Sequence, residues 1–398
     1  MFKKINKCIC GTQKNTKKVS RLYFKNLPIT EIFLKKYKNF KKYSFSQEIN
    51  FCKNCEHMFL GKQLNSKYLY NKSNYFFSTA QSFSAVHSND VFIDFINKNL
   101  KKKMKSILEI GSNDLYLLQK FYHLSDKLIG IDPVIKMPKK LKKIKIIKNF
   151  FNEKIINKYS IKDNDAIICS HTLEHVEDIK KFLTNVLSVS SKKTKIFFQF
   201  PSVERLIASN SYDQIHNQHL NFFSIKSFNN VLEELGGKII DYEYNNLHYG
   251  ALMIYFTLKS SKEKSRISIK KKRKIINTSL KKSYENFKTH LNSYKQVIED
   301  HIGRKKFYVI GAGLMLPLLN YHMENIMSKA DGILDDDKRK INKYFPGINT
   351  KIMSLKKTDL TNAVCLIAPI ASSITSRKLV ELLGKKNADL ILLPTTTF

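Results

Sequence analysis

The feature that most constrains this chain is a repeated change of hydrophobic period. Short apolar runs at 106–110, 128–131, 144–147, 166–169 and 195–200 alternate, for the most part, with stretches whose apolar residues recur three and four apart. Runs of this kind read as strands, and strands alternating with helices at this spacing form a parallel sheet with helices on both faces. The expected fold class is therefore α/β, a doubly wound Rossmann-like sheet, with 239–244 and 251–258 as closing antiparallel strands. The same change of period recurs at 307–310, which runs into Gly311-Ala-Gly313; further strands are expected near 332–334, 363–368 and 390–393. The C-terminal part reads as a second, smaller Rossmann-like α/β unit.

The segments around these two units complete the organisation. Residues 1–62 hold four of the six cysteines. Residues 63–100 form a helical lead-in, aromatic at Tyr68, Tyr70, Tyr75, Phe76 and Phe77, then amphipathic through Phe92, Phe95, Ile96 and Leu100. The first sheet occupies 101–258. A connector over 259–303 begins with dense charge and continues as one long helix with the stripe Ile276, Leu280, Tyr284, Phe287, Leu291, Tyr294 and Ile298, packed on its neighbours or forming a coiled-coil seam. The second unit takes 304–398.

Composition excludes several classes. With 398 residues and 42% hydrophobic content, wholesale disorder is ruled out. No apolar run approaches the roughly 20 residues of a membrane-spanning helix, and the N-terminal residues lack the apolar core of a secretory signal, so a cytoplasmic protein with no membrane partner is expected. The formal charge of +37 invites a nucleic-acid partner. Against it, only seven of the 70 basic residues are Arg, the residue that reads base edges, and the lysines are spread over every segment. The charge reads as compositional background with some attraction for anionic substrates.

Cys8-Ile-Cys10 and Cys52-Lys-Asn-Cys55 are two close pairs, which in a cytosolic chain point to a metal before a disulfide. The C-x2-C spacing of the second pair lets two thiolates take adjacent corners of a zinc tetrahedron; the first is one residue tighter than usual. A structural zinc on Cys8, Cys10, Cys52 and Cys55 is expected. Cys169 and Cys365 stand alone in apolar runs and read as buried strand residues.

A strand ending in Glu109-Ile-Gly111-Ser112-Asn113-Asp114 puts a glycine where the backbone approaches a ligand closely, with helix N–H groups beside it. Asp132-Pro133, at the end of the next strand, places a carboxylate where it can accept from both hydroxyls of a ribose. No G-x-G-x-x-G and no Lys stand in the turn, so a phosphate cradle is a poor fit. Ser170-His171-Thr-Leu-Glu174-His175 then brings polar groups off the carboxyl end of strand four, where open α/β sheets bind ligands. Together these segments resemble class I S-adenosylmethionine-dependent methyltransferases. The resemblance implies S-adenosylmethionine as cofactor, with Glu109, Gly111 and Asn113 at its methionine end, Asp132 at its ribose and Phe150 or Phe151 at its adenine. Leu115 departs from the pattern, standing where relatives usually keep another glycine.

Beyond strand five, Tyr212-Asp-Gln-Ile-His216-Asn-Gln218-His219 is dense in polar groups, with two histidines three apart. They could move a proton, pin a loop, or form a metal pair. With no carboxylate read as a ligand and no third histidine nearby, a metal is not expected on them. Here the chain resembles the nucleotide-sugar C-methyltransferases, over nearly its whole length: a two-pair cysteine head with Leu27-Pro28, Tyr68-Leu-Tyr70, and the C-terminal Gly311-Ala312, Leu318 to Tyr321, 335–340 and Pro346-Gly347 all follow that family's pattern. Family members carry Tyr-His-Glu-His after strand five. In this chain those positions are His216, Asn217, Gln218 and His219, so only the presumed base is kept. The resemblance implies that His219 removes a proton from a sugar carbon next to a ketone, with His216, Gln218 and His175 nearby, and that a nucleotide-sugar is the substrate.

Other readings remain open at this stage. A sugar O-methyltransferase would use His219 on a hydroxyl. A zinc-knuckle nucleic-acid methyltransferase would explain charge and cysteines together, and a non-catalytic binding protein would explain the altered loop. Gly311-Ala-Gly313 with Asp335 also satisfies a loose dinucleotide fingerprint, although its third glycine is missing and Pro317 interrupts the expected helix start.

Overall fold

The computed structural model describes residues 2–30, 32–38, 43–65, 78–100, 103–135, 143–247, 250–267, 276, 279–368 and 373–394. The aromatic stretch expected at Tyr68 to Phe77 lies outside them. The chain divides into two compact units: 1–21, 49–205 and 218–277 form the first, and 22–48, 206–217 and 278–398 the second.

The first unit is built on seven strands, β1 (Met104–Ile110), β2 (Ser125–Ile131), β3 (Ile144–Ile147), β4 (Ala166–Ser170), β5 (Lys195–Pro201), β6 (Gly237–Asn245) and β7 (Ala251–Leu258). Their order across the sheet is β6-β7-β5-β4-β1-β2-β3. The strands β1 to β5 pair in parallel, while β7 pairs antiparallel with β5 and β6. The chain reverses direction across the sheet between β1 and β4, the point where open α/β sheets form a ligand crevice.

Side-chain alternation explains the double layer. Leu108, Ile167 and Phe198 join one buried cluster with Phe182, Leu183, Phe228 and Leu232 from the helices Ile179–Ser188 and Ile225–Glu234. Their strand neighbours Ile107, Ile168 and Phe197 join another with Phe92, Phe95 and Ile96 of the helix Phe83–Asn99. Ser224 and Ser227 close a reciprocal capping box on Ile225–Glu234. The cysteine-bearing segments belong to this unit too, with Met58–Leu60 paired antiparallel to residues 49–51 and to Asn221–Phe222. The sequence pattern had pointed to no strand in this head.

The second unit carries a five-stranded, all-parallel sheet: β8 (Phe307–Ile310), β9 (Gly332–Leu334), β10 (Ile352–Met353), β11 (Val364–Ile367) and β12 (Leu390–Leu392), in the order β10-β9-β8-β11-β12. The helix Leu280–His301 buries Leu280, Phe287, Leu291 and Ile298 of the expected stripe. Tyr284 and Phe287 meet Phe24, Tyr212 and His322, all of the same unit, so the stripe packs on its neighbours there. Pro317 does not interrupt a helix. It lies in the first turn of Leu316–His322, where its missing N–H would have had no intrahelical partner. Among the described residues, no helix is long and apolar enough to cross a membrane.

Candidate functional site

At the carboxyl ends of β1, β2 and β4 a cavity of about 470 Å³ opens. Its wall includes Glu109, Gly111, Ser112, Asn113, Asp114, Asp132, Pro133, Phe150, Phe151, Ser170, His171 and His175, so the residues singled out for the cofactor converge on one space. The turn after β1 is shaped by three residues of positive φ, Gly111, Asn113 and Leu115. Gly111 has φ +79°, and a Cβ there would stand 1.9 Å from Thr172 Oγ1, so only glycine fits. Leu115 has φ 66°, the conformation for which a glycine would be the natural choice; its side chain is buried, and the short helix Tyr116–Lys120 starts behind it.

Asp132 fastens this turn. Its Oδ2 accepts from the Asn113 N–H at 3.0 Å and its Oδ1 from the Val134 N–H at 2.7 Å. Each oxygen keeps a second lone pair. Burial raises its pKa, partly offset by the two backbone donors. Asp114 lines the cavity and also holds neighbouring backbone in place. Its carboxylate accepts from Ser78 Oγ, the Ala80 N–H and the Tyr116 N–H, so it ties the segment preceding Phe83–Asn99 to the start of the next helix. Glu109 is almost wholly buried, and its Oε2 has no hydrogen-bond partner. Burial, and then the neighbouring Asp132 and Asp114 carboxylates, push its pKa well above the usual glutamate range. A buried carboxyl with an unanswered oxygen at a cavity wall is suited to a cationic group, which would relieve its desolvation.

Beyond β4, His171 Nδ1 lies 3.3 Å from Glu174 Oε1. Burial lowers the His171 pKa to about 4 and raises that of Glu174 to about 7. His175 donates through Nδ1 to the Gln218 carbonyl at 2.9 Å, since a carbonyl can only accept; burial lowers its pKa, so the ring is neutral at pH 7 and its basic nitrogen is Nε2. The rings of His175 and His219 lie 5.0 Å apart. The structure thus places His219 against the histidine that lines the cavity, although His219 itself is not among the lining residues. Gln218 serves this arrangement through its backbone. His216 and Asn217 belong to the second unit, where Asn217 donates to the Pro28 carbonyl and accepts from Gln47.

The pair weighed in the sequence as metal ligands was His216 and His219; folding instead brings ligand atoms of Glu174, His175 and His219, without His216, within 4.8 Å of one another. The loop after β4, distant along the chain, supplies the carboxylate and the second histidine.

The four head cysteines also gather. Cys8, Cys10, Cys52 and Cys55 hold their sulfurs within 4.8 Å of one another, with Cys8–Cys55 at 3.4 Å and Cys10–Cys52 at 3.7 Å. A tetrahedral ion with metal–sulfur bonds of about 2.3 Å sets its sulfurs roughly 3.8 Å apart, so this all-thiol set fits zinc. Gly11, at φ +84°, closes the tight turn that lets a C-x-C pair serve. His57 Nδ1 approaches Cys8 Sγ at 3.5 Å, a contact the sequence pattern did not reveal.

Other wall residues were missed as well: Asn89, Asn149, Thr172 and Glu177. Asn89 sits within an amphipathic helix whose pattern announces packing, and nothing in its spacing marks a ligand group.

Residues 85–242 match the model of a family described as a methyltransferase domain. The C-methyltransferase NovU of Streptomyces niveus is 21% identical over 153 residues, which cover 37% of this chain; the match spans 36% of that relative's length. Solved structures similar to parts of the chain include the N-methyltransferase NodS from Bradyrhizobium japonicum WM9 (13% identity, 44% of this chain and 96% of that one, TM-score 0.34). Another is the DhpI–SAH complex (16% identity, 49% and 95%, TM-score 0.35). The residues that match a methyltransferase domain thus fall on the Rossmann-like α/β sheet of the first unit.

Proposed function

We propose that this protein methylates a nucleotide-linked sugar at a carbon next to a ketone. The observation that carries the reading is the cavity in which Glu109, Asp132 and His175 share one wall, with His219 against His175. Asp132, held by two backbone donors, keeps lone pairs for the two hydroxyls of a ribose. Glu109 meets an ammonium group, and Phe150 and Phe151 offer ring surface for a purine. S-adenosylmethionine, when bound, supplies the electrophilic methyl group. His219 takes the proton from the sugar carbon; neutral His175, its tautomer set by the Gln218 carbonyl, stands beside it and can share that proton. A substrate-binding role is assigned to the second unit as part of the same proposal. Zinc on Cys8, Cys10, Cys52 and Cys55 would be structural.

The test is methyl transfer from labelled S-adenosylmethionine to a panel of nucleotide-linked keto-sugars, with wild type and His219→Ala. Turnover on at least one keto-sugar, reduced about 100-fold or more in the variant, supports the reading; transfer indifferent to His219 would remove the assigned base. A second reading, methylation of a sugar hydroxyl, is favoured by His216, Asn217 and Gln218 standing where the resembled family keeps Tyr, His and Glu. Carbon NMR of the product separates a C-methyl from an O-methyl group. One zinc per chain, lost in Cys52→Ala, would support the metal assignment.

A further inference from the structure

A buried hydrogen-bonded chain runs from the cavity wall through Asn89, Ser170, Gln199 and Asn245, and its direction follows from chemistry alone. Strand alternation sends Ser170 and Gln199 to the face covered by the helix Phe83–Asn99, which carries Asn89. The far end is Asn245, at the end of β6. The Ser88 carbonyl can only accept, so the Asn245 atom 2.9 Å from it is the amide nitrogen. The Leu247 N–H can only donate, so the atom 3.0 Å from it is Oδ1. Asn245 Nδ2 also donates to Gln199 Oε1 at 2.8 Å, which leaves Gln199 Nε2 to donate to Ser170 Oγ at 3.2 Å. Ser170 in turn gives its proton to Asn89 Oδ1 at 3.0 Å. The Asn89 oxygen is thereby occupied, and the residue, 6% exposed and lining the cavity, turns its NH2 inward.

The cavity then offers two complementary groups: amide donors on Asn89, and the Glu109 carboxyl with its unanswered oxygen. A ligand end bearing both a carboxylate and an ammonium satisfies both. We propose that Asn89 donates to the α-carboxylate of the cofactor's amino-acid end, and that Asn245, outside the cavity, is a positioning residue that fixes this orientation through Gln199 and Ser170. The inference rests on the methyltransferase reading above. Asn245→Asp, unable to donate, would turn Gln199 around, deprive Asn89 Oδ1 of the Ser170 proton, and let the Asn89 oxygen face the ligand instead.

The experiment compares two ligands by calorimetry. S-adenosylhomocysteine has the amino-acid end; 5′-methylthioadenosine lacks it. Asn89→Leu and Asn245→Asp should each weaken S-adenosylhomocysteine about tenfold, as for one hydrogen bond to a charged group, and leave 5′-methylthioadenosine within about twofold. The double variant should be no weaker than Asn89→Leu, because both act on one bond. Ser170→Ala provides the same reading if Asn245→Asp does not fold. Equal losses for both ligands, or an unchanged affinity for S-adenosylhomocysteine, would overturn the proposal. Failure of wild type to bind either ligand would instead overturn the cofactor reading beneath it.

Discussion

The turn after β1 and the turn after β8 are built alike. In each, a glycine with positive φ follows the strand, Gly111 at +79° and Gly311 at +90°, and donates to the last carbonyl region of the next strand, Ile131 at 2.8 Å and Leu334 at 2.7 Å. An aspartate at the end of that next strand then clamps the turn. Asp132 accepts from Asn113 N–H and Val134 N–H; Asp335 accepts from Ala312 N–H at 2.9 Å and Asp337 N–H at 2.8 Å. The difference lies in what surrounds the clamp. In the second unit Lys340 Nζ sits 3.0 Å from Asp335 Oδ2, and Val309 occupies the place two residues before the glycine. In the first unit that place is Glu109, and two buried carboxyls face a cavity. The backbone device is a property of the fold; the unpaired acids make one copy of it a candidate site.

That contrast can be broken by substitution. The largest effect is expected for Gly111→Ala, which must hold an unfavourable φ and displace Thr172; it should cost about 3 kcal/mol of stability, with part of the loss recovered in Gly111→Ala/Thr172→Ala. Thermal or urea denaturation checks both, and an unchanged midpoint would contradict the geometry. Val309→Glu would give the second turn its missing acid. Because Val309 is fully buried, the change should destabilise by about 2–3 kcal/mol and confer no cofactor binding.

A smaller effect concerns pH. Burial raises the Glu109 pKa in the folded state, so the folded protein binds more protons than the unfolded chain above the ordinary value of 4.5, and stability falls as pH rises through that interval. Ligand-free Glu109→Gln should therefore gain stability over wild type as pH increases above 4.5, and lose the advantage below it. Denaturation midpoints at pH 4 and pH 8 measure this; a gap that does not change with pH would show that Glu109 is not the group responsible. The smallest effect is expected for Lys340→Ala. Asp335 keeps both backbone donors, so the loss should stay under about 1 kcal/mol and cofactor affinity should not move.

Much of this was legible in the sequence, for physical reasons that also mark its limits. Strands β1 to β9, β11 and β12 announce themselves because each is a short apolar run between turn residues, and Glu109, Gly111 and Asp132 are visible because polar groups at strand ends interrupt that pattern. The head strands Val19–Pro28 and Ser44–Cys52 are broken up by polar and charged residues such as Arg21, Lys25, Gln47 and Glu48, so no short apolar run marks them. Asn89 and Asn245 were silent because their role depends on a chain of partners 46 and 157 positions apart in pairs such as Asn245–Gln199 and Asn245–Ser88. Glu174 was seen as part of a motif, but its approach to His219 is a product of folding. Leu115 is a local departure that the left-handed φ explains and the sequence could only flag.

The most direct measurement is calorimetric titration of S-adenosylmethionine into wild type, Asp132→Ala and Asp335→Ala. Binding to wild type, weakened about 100-fold or more by Asp132→Ala and within about twofold of wild type in Asp335→Ala, is the predicted result. Binding that depends on Asp335 and ignores Asp132, or no binding at all, would contradict the assignment of the first turn as the cofactor site.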